Sequence, residues 1–207
     1  VTVSSIGVTL QENGNPVSYR NYLKDDWSDS GAGELLTNLV PEGETLLPGK
    51  RYAESLSVLN SGAIDTYVRV TLYRSWQDSQ GNKLTELSPE LIEFDLTENS
   101  GWIVDEKAST PERMVLYYTR VLPSQASTPA LSRGVGVSND IYREVEEIIV
   151  RETQEGKTFQ TKYRYDGCWM SVKAEVDAVQ THNAAEAIKS AWGVDADVAA
   201  DGTLHLR

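Results

Sequence analysis

The chain has 207 residues, 31 acidic against 19 basic side chains for a formal net charge of −12, and a single cysteine. That length fits one large β-domain or two small ones, and it buries roughly 70% of the unfolded surface, enough for a substantial core. The acidic balance and the lack of a basic run argue against a nucleic-acid partner. One cysteine rules out an intrachain disulfide, and no apolar run approaches the ~20 residues of a membrane-spanning helix.

From the start, Val1 and Val3 share one parity, and Ile6, Val8 and Leu10 the other, with the switch at Ser4-Ser5. A one-residue slip turns side chains to the opposite face. Either a β-bulge lies there, or the first residues are an arm separate from the strand that follows. The chain opens at Val1 rather than Met and carries no leader-like stretch, as expected of a processed or truncated polypeptide. Asn13-Gly14-Asn15-Pro16 is a turn. Residues 17–33 are polar and aromatic and read as a long surface loop with a short strand or helical turn. Asp25, Asp26 and Asp29 in it have the oxygen chemistry of a calcium ligand set but not the EF-hand spacing. A solvated acidic loop is the simpler reading.

The most strand-like stretch is residues 48–73. Pro48-Gly49 is a turn. Leu56 and Val58 alternate with Ser55 and Ser57, Asn60-Ser61-Gly62 breaks the run, and Val68, Val70 and Leu72 then point one way while Arg69 and Thr71 point the other. A hairpin about Gln80-Gly81-Asn82 follows, then a helical turn with Ser88 as cap and Pro89 first. Trp102-Ile103-Val104 is a short strand, and residues 114–118 a central one. Residues 122–136 are rich in Pro, Ser, Thr and Gly and read as a loop within one domain. Residues 145–150 and 158–165 are two strands around Gln154-Glu155-Gly156-Lys157, with one face wet. Met170, Val172, Ala174, Val176 and Ala178 alternate with polar residues in a half-buried strand. Asn183 is expected to cap a helix over residues 184–192 that Gly193 stops, and the tail returns to extended character at residues 203–206.

Catalytic patterns are weak. His182 and His205 are the only histidines, and no H-E-x-x-H is present. There is no G-x-S-x-G elbow. Cys168 has Asp166 and Trp169 for neighbours and reads as a buried, inert thiol rather than an activated nucleophile. Asp105-Glu106 and Glu146-Glu147 are adjacent, so on a strand each pair points to opposite faces and makes a poor glycosidase pair. Gly134-Val135-Gly136 is too short for a dinucleotide loop. Five Trp and ten Tyr could furnish a carbohydrate- or protein-binding face, but Trp76, Trp102 and Trp169 each lie in or beside a strand and read as core or sheet-edge residues. No catalytic residue, cofactor or metal ligand is therefore assigned.

The order Pro48-Gly49, Asn60-Ser61-Gly62, Tyr67-Val68-Arg69-Val70, Trp102, Tyr117-Tyr118, Ala174-Glu175-Val176-Asp177-Ala178-Val179-Gln180 and Ala191-Trp192-Gly193 resembles the TasA/camelysin family of secreted Gram-positive proteins. Ile6-Gly7-Val8-Thr9-Leu10-Gln11-Glu12-Asn13-Gly14 is similar to that family's mature N-terminus. The resemblance spans residues 6–193; the acidic loop before Pro48 matches poorly. It implies a mainly β, jelly-roll-like antiparallel β-sandwich with a short C-terminal helix and long loops. Residues 1–5 would form an N-terminal arm and residues 6–207 the sandwich. It further implies a non-enzymatic subunit of a biofilm-matrix fibre, secreted to the extracellular matrix or cell surface. Assembly would be head to tail by donor-strand exchange, with Val1, Thr2, Val3, Ser4, Ser5 and Ile6 as the assembly arm. The partner would be the chain itself, with other matrix or cell-surface components besides. A monomeric surface adhesion or binding module is the alternative. A camelysin-like metalloprotease is disfavoured by the missing zinc motif.

Overall fold

A computed structural model of the chain describes residues 5–207. The strands are β1 (Ile6–Glu12), β2 (Asn15–Leu23), β3 (Asp26–Asp29), β4 (Gly33–Glu34), β5 (Arg51–Ala53), β6 (Leu56–Asn60), β7 (Thr66–Gln77), β8 (Lys83–Leu84), β9 (Ile92–Leu96), β10 (Trp102–Val104), β11 (Arg113–Tyr118), β12 (Ser132–Val137), β13 (Val145–Thr153), β14 (Gly156–Tyr163) and β15 (Trp169–Gln180). A single α-helix, α1 (Ala184–Trp192), precedes β16 (Ala196–Val198) and β17 (Leu204–Leu206). The pairings are antiparallel throughout. The protein is mainly β, with a sandwich-like arrangement of sheets and one short helix, as the sequence led us to expect.

The central sheet runs β10-β11-β7-β15-β4, with β8 on the end of β7. Alternation decides what lies on each side of it. Val68, Val70 and Leu72 of β7, Leu116 of β11, and Val172, Ala174, Val176 and Ala178 of β15 join one apolar core with β1 and β6. Tyr67, Val115, Tyr117 and Val179, of opposite parity, join a second core under Ile188 and Trp192 of α1. Each fully buried aliphatic side chain contributes about 1.5–3 kcal/mol. The two-sided burial of β7 therefore makes it the best-anchored strand.

The facing layer is β3-β2-β1-β6. It continues through residues 126–131, whose backbone bonds to β6 (Thr128 N to Val58 O, 2.9 Å; Leu131 N to Leu56 O, 2.8 Å), into the sheet β5-β12-β9. The chain crosses between layers just after β3. There Gly33 lies so close to Val17 that an added Cβ would sit 1.9 Å from the Val17 carbonyl oxygen, a place only glycine can occupy.

Several expectations are corrected. Residues 17–33 are not a loop: most of them form the hairpin β2–β3, which turns on Lys24 and Asp25, both at positive φ. Its edge position lets the strands stay polar. Asp29 is taken up by Arg20 Nη1 (3.2 Å) and Gly31 N (2.9 Å), and Asp25 accepts from the Tyr22 hydroxyl (3.3 Å). The register shift of β1 lies between Leu10 and Gln11; the switch expected at Ser4-Ser5 falls partly outside the described residues. Residues 132–136 are strand β12 rather than loop. Asn183 does not cap α1 with its side chain; its left-handed backbone places its carbonyl to accept from Ala187 N. Of the tryptophans read as core or sheet-edge residues, Trp76 and Trp102 are core, and Trp169 lies on the sheet edge with 63% of its surface exposed. Cys168 is half-buried, its Sγ 3.1 Å from the Arg164 carbonyl oxygen. The strands expected over residues 145–150 and 158–165 are β13 and β14. They form a ribbon exposed along its whole length rather than on one face. Among the described residues no helix is long and apolar enough to cross a membrane.

Candidate functional site

The long strands give the molecule two poles. Ser5, the first described residue, lies at one of them beside the turn that follows β6. Ser61 N and Gly62 N both donate to the Gly7 carbonyl (2.9 and 3.1 Å), and Ala63 N donates to the Ser5 carbonyl (3.1 Å). Asn60, fully buried, orders this turn. Its Nδ2 donates to the carbonyls of Ile64 and Leu122 (both 2.9 Å), and its Oδ1 accepts from Gly62 N (3.0 Å). A Cβ on Gly62 would lie 2.4 Å from Gly7 N. The Asn60-Ser61-Gly62 break in the sequence is thus a clamp on the root of β1. Of the residues expected in the arm, Val1, Thr2, Val3 and Ser4 lie outside the described residues. Ser5 is held by this clamp, and Ile6 starts β1 and packs into the main core, 7% exposed.

The opposite pole gathers the end of β1, the end of β7 and the start of β15. A groove of about 700 Å3 opens there, lined by Leu36, Leu39, Leu46, Trp76, Cys168 and Trp169 among others. Its wall includes an unfinished sheet edge. β4 pairs with β15 only at Lys173 and Ala174, and Leu35 N reaches the Val172 carbonyl (2.8 Å). Residues 169–171 and 175–180 pair with β7 on one side, and among the described residues no strand pairs their other side; of the two stretches, 169–171 borders the groove. Such an edge is a template for an added strand. The sequence hinted at it through Trp169-Met170 at the start of an alternating strand, but not that β4 stops short.

Glu54, at the same pole, has 1% of its surface exposed, and neither carboxyl oxygen meets a hydrogen-bond donor. Burial above all, and the Glu12 carboxyl beside it, push its pKa up to about 9, so it holds its proton at neutral pH. Glu12 in turn accepts from Leu36 N (2.9 Å) and so fixes the start of the groove wall. One signal for this was available: Glu54 shares the parity of Leu56, Val58 and Asn60, all buried.

Next to the groove, Tyr142, Tyr163 and Tyr165 cluster with ring centroids 5.5–5.8 Å apart at the root of the β13–β14 ribbon. His182 lies just before α1, and His205 lies in β17 opposite Asp197. Among the described residues, no three His, Cys, Asp or Glu side chains converge as a metal site would require. The Cys168 thiol is pushed up by burial and by Asp166, which disfavours the thiolate. Asp105 accepts from Lys107 N (3.1 Å), which makes it a turn residue. Comparison with protein-family models, with curated proteins and with solved structures finds no match.

Proposed function

We propose that this protein is a secreted, non-enzymatic structural subunit that polymerises head to tail into an extracellular fibre, the N-terminal segment of one copy adding a strand to the next. The resemblance to the TasA/camelysin family supports the reading, and one observation carries it: the polarity of the molecule. The N-terminal segment is rooted at the Gly62 pole, and the apolar groove with its unpaired β15 edge opens at the other. β7, twelve residues long, runs between them, a span of about 40 Å at the rise of an extended strand. A strand donor at one end and an acceptor at the other make a heterologous contact, and such a contact, repeated without closing a ring, propagates as a filament.

Removing residues 1–4 tests this. The truncated protein should melt like the full chain, because Ser5 keeps its bond to Ala63 and Ile6 onward supplies the core, yet form no filaments under the electron microscope. Filaments from the truncated chain would overturn strand donation by this segment. The aromatic rim of the groove favours a second reading, a monomeric surface-binding module. In that case the full chain stays monomeric in sedimentation at high concentration.

A further inference from the structure

The β13–β14 ribbon takes no part in either core, and every one of its residues is exposed. Its register nevertheless sorts its side chains. Val145 lies opposite Tyr163 and Ile149 opposite Phe159, with Glu147 and Thr161 between them on the same face. Glu146 with Lys162 and Ile148 with Gln160 occupy the other face. Ile149 is 49% and Phe159 54% exposed. A lone two-stranded ribbon is marginal in water, and an apolar face on it marks a contact surface. At its root this face runs into the Tyr142, Tyr163 and Tyr165 cluster, and Tyr165 also lines the groove.

We propose that this face is a contact for a second copy of the chain. In the fibre it lies along the Gly62 pole of the neighbour whose N-terminal strand fills the groove, and to that extent it rests on the head-to-tail reading. Reach is the first argument. Nine residues of β13 extend about 30 Å, whereas residues 1–5 span at most about 18 Å. A donor strand drawn from those residues holds its body within the ribbon's reach. Charge is the second argument. Residues 141–165 carry five basic and five acidic side chains, so the net −12 of the chain resides wholly on the rest of it. Two such bodies repel. The ribbon itself, residues 145–163, carries three basic and four acidic side chains, close to neutral, and with its apolar pairs on one face it can approach another copy with little of that penalty.

The test compares the full chain with Ile149→Ser/Phe159→Ser. Both side chains point away from the cores, so the melting curve should not move, while the critical concentration for filaments should rise about tenfold. Independently, a photo-crosslinker in place of Phe159 should capture peptides from the Gly62 pole of another copy, around Ala63 or Gln125. Unchanged assembly of the double variant, with crosslinks only inside one chain, would overturn the ribbon contact while leaving strand donation standing. If the full chain forms no filaments at all, both fall together.

Discussion

β7 with β15 and β13 with β14 are the two longest antiparallel pairs in the molecule, and they live in opposite environments. The first is paired over twelve residues, from Gln77 with Trp169 to Thr66 with Gln180, and has an apolar core on each face. The second is paired from Val145 with Tyr163 to Thr153 with Gly156, and solvent reaches every residue. Both contain β-branched and aromatic residues, and both satisfy their shared backbone ladder. The difference is what covers them. A ladder fixes geometry, but stability comes from the apolar area taken from water. In the first pair that area is spent on the fold. In the second it stays in water.

The strongest test of this contrast is a matched truncation. Leu72→Ala, in the fully buried stretch of β7, should cost about 3 kcal/mol from lost transfer energy and the cavity left behind. Ile148→Ala in the ribbon should cost less than about 0.5 kcal/mol. Urea unfolding of the two variants reads the difference directly. Equal losses would mean that the ribbon is part of the folded body.

The next effect concerns pH and the one buried acid. Glu54 has its pKa raised from 4.5 to about 9 in the folded state. For an acid raised in this way the native state binds the proton more tightly than the unfolded chain does. The stabilisation is therefore complete below about pH 4.5 and is lost progressively as pH rises towards 9. Glu54→Gln cannot titrate. Its melting temperature, measured from pH 5 to pH 9, should fall less than that of the parent chain, by a few degrees. Parallel curves for the two proteins would show that Glu54 is ionised in the native state after all.

Sequence alone showed the cores well and the surfaces poorly, for a physical reason. Alternation of Val68, Val70 and Leu72, or of Val172, Ala174 and Val176, records burial, because only a covered face keeps every second residue apolar. The turns at Asn13-Gly14, Pro48-Gly49 and Gln80-Gly81-Asn82 were equally legible, since positive φ favours glycine and asparagine. The β2–β3 hairpin was read as a loop because an edge strand can be polar on both faces. It also turns on Lys24 and Asp25, with no glycine, asparagine or proline to mark the turn. In the ribbon, Ile148, Ile149 and Val150 looked like strand residues with one buried face. Local pattern does not record whether the rest of the chain ever reaches that face. The groove was invisible for a related reason: it exists because β4 ends after two residues, and a strand's absence leaves no mark in the sequence of the strand it fails to cover.

The smallest expected effect on stability is also the sharpest test of the groove. Trp169 is an aromatic residue on a sheet edge with most of its surface in water, and it is separated from the covered stretch of β15 that begins at Val172. Its replacement by Ser removes little contact with the body, so Trp169→Ser should unfold within about 0.5 kcal/mol of the parent. The same change takes the largest side chain from the rim onto which an incoming strand would pack, so filament formation should fall sharply. Electron microscopy and urea unfolding on one preparation separate the two. A variant that is destabilised in proportion to its loss of filaments would make Trp169 a residue of the fold. One that keeps its stability and loses its filaments makes the groove pole, with its uncovered strand edge, the receiving end of the molecule.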